Sequence, residues 1–72
     1  MLSTQAIKVA KPFGGLTGLA KAIGKNPSTV HRWSYPKDRG GTDGRIPTVN
    51  VPEIIAAADL LGYIIPAEAW IP

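Results

Sequence analysis

The sequence has no cysteine, a single histidine and only five acidic residues, and each scarcity removes a class of chemistry. Without thiols there is no disulfide framework and no thiolate metal site. One imidazole cannot build a zinc site by itself. His31 and five scattered carboxylates supply no paired acids, no triad and no metal set. The glycine-rich run Gly40-Gly41-Thr42-Asp43-Gly44 lacks the lysine and the spacing of a phosphate loop. The chain is therefore expected to be neither an enzyme nor a cofactor carrier. No apolar run approaches the ~18 residues of a membrane span. The start, Met1-Leu2-Ser3-Thr4-Gln5, shows no basic segment leading into an apolar one, so a signal peptide is not expected and a cytoplasmic location is.

What is present is charge of one sign at one end. All eight Lys and Arg lie between Lys8 and Arg45, opposed there only by Asp38 and Asp43, which leaves +6 on that stretch. From Ile46 to Pro72 there are three acids, Glu53, Asp59 and Glu68, and no base, giving −3. A basic front and an acidic back suggest a polyanionic partner on one side; the plainer reading is a solvated surface. The 72 residues suffice for one domain, 1–72. A domain this small buries only about 60% of the surface its unfolded chain exposes, so a second subunit is one way to complete its core.

The patterning predicts an all-α domain of four to five helices. A first helix is expected over Thr4 to Lys11, capped by Ser3 or Thr4, with Ile7 and Ala10 as its apolar pair. Pro12 should stop it at Lys11, and Phe13 should plug the core. A second helix is expected over Leu16 to Ile23, with Leu16, Leu19, Ala20 and Ile23 on one stripe and Gly24 at its end. Asn26-Pro27-Ser28 marks the start of a third, to about Ser34, because Asn caps well and Pro suits the first helical position. Val30 and Trp33 then face inward, leaving Ser28, His31, Arg32 and Tyr35 outside. Residues 36–47 form a basic loop, long enough without structure of its own to suggest a role. A fourth helix is expected over Val51 to Leu61, packing through Ile54, Ile55, Ala58 and Leu61 and ending at Gly62. An apolar tail follows, in which Pro66 to Trp70 can make one more turn.

The functional signal is the spacing between the second and third helices. Ala20 precedes Gly24 by four residues, Val30 follows it by six, and Trp33 comes three later. A helix-turn-helix needs a small residue for close crossing, a glycine in the turn, and apolar anchors on the back of the second helix. The outer face of that helix is then free to enter a major groove.

On these residues, Leu16 to Tyr35 resembles the helix-turn-helix of phage Cro and repressor proteins. The longer pattern is similar to YdaS-type, Cro-like regulators and antitoxins. It comprises Gly14-Gly15-Leu16-Thr17-Gly18-Leu19-Ala20-Lys21-Ala22-Ile23-Gly24, then Ser28-Thr29-Val30-His31-Arg32-Trp33, then Arg45-Ile46-Pro47. The fourth helix fits the family in type; the apolar tail is not accounted for. The resemblance implies sequence-specific binding of double-stranded DNA by a transcriptional regulator, most simply a repressor of phage or prophage type, associated with the nucleoid of a bacterial or phage-infected cell. Base-reading positions of the family fall on Pro27, Ser28, His31 and Arg32, and its phosphate-clamping positions on Leu16 and Thr17. Three residues depart from the pattern. Leu16 stands where a polar residue is usual, Pro27 offers only apolar contact, and Lys25 replaces an apolar residue and can reach for phosphate instead.

Arg32 is the strongest base reader in this set, since a bidentate Arg on guanine is the commonest specific contact. Thr17, Lys25, Thr29, Tyr35, Lys37, Arg39 and Arg45 are expected at phosphates, which position without reading. In the tail, Ile64, Ile65, Trp70 and Ile71 either fold back on their own subunit or meet a twin, and a homodimer is expected. The alternative is an antitoxin-like or adaptor protein whose fourth helix and tail hold a protein partner, such as a toxin or a polymerase.

Overall fold

The computed structural model describes residues 4–71. They form four α-helices and four short 3-10 turns, with no strand among the described residues. Helix α1 spans Gln5–Ala10, α2 Leu16–Ala22, α3 Pro27–Arg32 and α4 Val51–Leu61. Ser3, offered above as a cap, lies outside the described residues. Thr4 caps α1, its hydroxyl accepting from the Ile7 N–H at 3.4 Å.

The buried face of α1 is Ala6, Val9 and Ala10, an i, i+3, i+4 set, whereas Ile7 is 45% exposed. The expected Ile7–Ala10 pairing is thus corrected by one residue, because small side chains let this short helix sit close to its neighbours. Nor does the chain leave helical geometry at Lys11. It tightens into a 3-10 turn, Lys11–Phe13, with Pro12 inside it and Lys11 at φ −54°, ψ −47°. Such a turn tolerates Pro in its first positions, and it delivers Phe13 into the core.

Leu19 and Ala20 of α2 are fully buried, with Leu16, Ala22 and Ile23 packed at the margin of the core. Gly24 takes φ +71°, the left-handed conformation that turns the chain from α2 toward α3. Asn26 then caps α3, its side-chain oxygen accepting from the Ser28 N–H at 2.9 Å, and Pro27 occupies the first turn. The helix proper ends at Arg32, two residues earlier than expected. Bonds from Trp33, Ser34 and Tyr35 back to Val30, His31 and Arg32 continue it as tighter turns. Val30 and Trp33 are both buried, as the spacing predicted.

Helix α4 matches its expected bounds and follows a 3-10 turn, Thr48–Asn50. Its inward face is Ile54, Ala57 and Ala58; Ile55 (45% exposed) and Leu61 (49% exposed) turn out, a correction to the expected packing face. After Gly62 the chain returns to α1 as a 3-10 turn, Ala67–Trp70. Ala69 is buried there, the Trp70 carbonyl accepts from Gln5 Nε2 at 2.5 Å, and the Ile71 carbonyl accepts from Lys8 Nζ at 2.8 Å. Of the four tail residues expected either on their own subunit or at a twin, Ile65 and Trp70 pack against the chain's own core, while Ile64 and Ile71 stay exposed. Ile65, Ala69 and Trp70 thus fold back on the chain itself. The Cα radius of gyration, 11.1 Å, is that of a close-packed chain of this length. Among the described residues no helix is long and apolar enough to cross a membrane.

Candidate nucleic-acid interface

Burying Val30 and Trp33 fixes which way the rest of α3 points. At 3.6 residues per turn the opposite side carries Ser28 and Arg32, both exposed, with half-buried His31 beside them. Pro27 and Thr29 are exposed at the start of the same helix. Helix α2 packs closely against α3 and adds one group to this side: Thr17 Oγ1 lies 3.1 Å from His31 Nε2. That contact ties the first turn of α2 to the outer side of α3, so residues fourteen apart in sequence share one surface. Ser28 is oriented too. Its hydroxyl donates to Asn26 Oδ1 at 2.7 Å, on the oxygen that also caps the helix. Ser28 thus faces solvent with its lone pairs, while Arg32 presents a fork of donors.

The phosphate-contact residues divide. Thr17, Thr29, Tyr35, Lys37, Arg39 and Arg45 are all exposed. Lys25 reaches back to α4, where Nζ stands 3.7 Å from Glu53 Oε1. Both side chains of that pair are more than a third exposed, so it adds little to stability. It does set the direction in which Lys25 points. Lys37, Arg39 and Arg45 enter no ion pair among the described residues.

The basic loop has structure of its own. Lys37–Arg39 is a 3-10 turn closed by Gly40. Gly41 N–H donates to the Pro36 carbonyl at 3.1 Å, Asp43 N–H to Tyr35 at 3.0 Å, and Gly44 N–H to Trp33 at 2.6 Å. Asp43 takes a left-handed backbone (φ +54°), which Asp tolerates better than most residues, and its Oδ1 accepts from the Lys37 N–H at 2.7 Å. Thr42 Oγ1 spans the loop, bonding the carbonyls of Trp33 and Arg45. Gly44 is buried at φ +82°, and a Cβ there would run into the Thr4 side chain.

Gln5 locks this frame to the rest of the molecule. Its Oε1 accepts from the Ile46 N–H at 2.7 Å while its Nε2 donates to Trp70, so one amide joins α1, the loop and the tail. Between the loop and α1 lies an open groove of about 920 Å³, whose lining includes Lys8, Lys37 and Arg45 and one carboxylate, Asp43. Sequence reasoning identified the exposed cations but missed Gln5, Thr42 and Asp43, which position them. Asp43-Gly44 is a recognisable turn signal. Nothing local marks Gln5, whose partners lie 41 and 65 residues away. Among the described residues no three His, Cys, Asp or Glu side chains converge as a metal ion would require.

Compared with models of known families, with curated proteins and with solved structures, the chain shows no significant match.

Proposed function

We propose that this protein is a helix-turn-helix regulator of the Cro-like type that binds double-stranded DNA, with α3 in the major groove and α2 and the loop 36–47 along the flanking backbone. The supporting observation is the arrangement of α3. Val30 and Trp33 anchor its back, and Ser28, His31 and Arg32 stand together on its free side, next to Thr17 of α2. A major groove admits one helix and offers base edges to three or four side chains, which this surface can supply. Lys37, Arg39 and Arg45 add charge on the loop that follows α3, which backbone bonds hold in place. Occupation of an operator is enough to block a promoter, so repression is the simplest mode of action.

A titration of isotope-labelled protein with a short duplex of mixed sequence tests this placement. The amides of Thr17, Ser28, His31 and Arg32 are expected to shift, while those of Ile55 and Ile64 stay in place. Shifts confined to α4, or none at low salt, would contradict the reading.

A further inference from the structure

The acidic half of the molecule carries a surface that DNA binding leaves unused. Helix α4 and the segment after it enclose a shallow groove of about 290 Å³, lined by Ile55, Ala58, Asp59, Tyr63, Ile64 and Ile65. Ile55 is 45% and Ile64 85% exposed. The wall opposite is fixed, because Tyr63 N–H donates to the Ala58 carbonyl at 2.9 Å and the Tyr63 ring stands edge-on to Phe13, 5.3 Å between centroids. Asp59 is the one charged group in the lining, and its carboxylate meets no cation among the described residues.

Charge decides between the possible occupants. Nucleic acid and anionic lipid are both repelled by Asp59, the one charge in a lining that holds no Lys or Arg. A second copy docked groove to groove supplies no cation to Asp59, because the lining holds no Lys or Arg. The exposed parts of Ile55, Tyr63 and Ile64 also offer only on the order of 300 Å², against the ~800 Å² per partner of a standard interface. A short apolar segment with a cation meets neither objection. A helix provides this when bulky apolar residues at i and i+3 or i+4 lie next to a Lys or Arg on the same side. We propose that this groove docks an amphipathic, Lys- or Arg-bearing helix of a partner protein, its apolar side chains between Ile55 and Ile64 and its cation on Asp59. The proposal is independent of whether α3 reads DNA.

The test uses the full chain and a synthetic probe, a helical peptide of about 14 residues with Leu on one face and Lys on the other (about four turns). Its partner control carries Glu in place of Lys. With the Leu/Lys peptide the methyl signals of Ile55 and Ile64 and the ring of Tyr63 shift saturably, with Kd on the order of 100 µM, as suits so small a contact. The Leu/Glu peptide leaves them unmoved. Asp59→Asn weakens binding about threefold, as suits an exposed ion pair, and Ile64→Ser at least ~10-fold, while Glu68→Gln and Arg32→Ala change it by less than ~2-fold. Ile64 is on the surface, and a melting curve confirms that Ile64→Ser keeps the fold. The proposal is overturned if the signals do not move at about 1 mM peptide, if both peptides bind alike, or if Asp59→Asn binds as the parent does. It is also overturned if sedimentation reveals a dimer that Ile64→Ser dissolves, since the groove then belongs to a second copy.

Discussion

Arg32 leaves α3 on the side opposite Val30 and Trp33, exposed and with no carboxylate partner among the described residues. Removing it should cost no stability, so its effect on binding can be measured cleanly. Arg32→Ala is expected to weaken binding to a preferred duplex by about 1–3 kcal/mol, roughly five- to 150-fold, and to relax selection at one base pair. Arg32→Lys is expected to keep most of the affinity and lose the selectivity, because an ammonium lacks the planar fork. Parallel affinity measurements on preferred and scrambled duplexes separate the two effects. Asn26 plays two parts through one oxygen, capping α3 and holding the Ser28 hydroxyl. Asn26→Ala is expected to lower stability by about 1 kcal/mol in denaturant titrations. It also frees Ser28 to donate.

Among the elements, the loop between α3 and α4 is where sequence and structure part most. Its basic character and its glycines were readable, and its length suggested a role. Its order was readable only in part: Asp43-Gly44 marks the turn that the local bonds close, but the bond that ties the loop to α1, from the Ile46 N–H to Gln5, spans 41 residues and has no local signal. Gln5→Ala is expected to destabilise the protein by about 2 kcal/mol, two part-buried hydrogen bonds at about 1 kcal/mol each. Hydrogen exchange at the Ile46 amide should accelerate more than at Leu19. Gly44→Ala combines a left-handed backbone with a collision at Thr4, and is expected to cost more than ~2 kcal/mol in thermal or chemical melts.

The helices themselves were legible from their punctuation. Gly24, Asn26-Pro27 and Gly62 mark ends that the structure places within a residue or two. Their faces were legible where a stripe is long, as in Leu19 and Ala20 of α2. They were misread where two adjacent apolar residues compete, at Ala6 and Ile7 and at Ile54 and Ile55. Hydrophobicity alone does not choose between such neighbours; the closeness of the facing helix does.

On the scale of the whole molecule, charge and exposed apolar surface are separated along the chain. The +6 stretch, Lys8 to Arg45, includes α2, α3 and the ordered loop, while the −3 stretch, Ile46 to Pro72, includes α4 and the Ile55–Ile64 groove. A surface that neutralises several phosphates releases their counterions, so duplex affinity should fall steeply with salt. Arg45→Ala and Lys37→Ala are each expected to flatten the log–log salt slope by about 1 without changing which sequences are preferred. Lys25→Ala should flatten it less, because Lys25 is turned toward Glu53.

The most direct measurement of the central claim is selection of bound duplexes from a random pool, with the parent protein and with Arg32→Ala side by side. The account predicts that one short motif is enriched by the parent and that the mutant loses or relaxes it. Binding without enrichment, falling with salt equally for parent and mutant, would contradict base reading by α3 and reduce the basic surface to a backbone-binding patch.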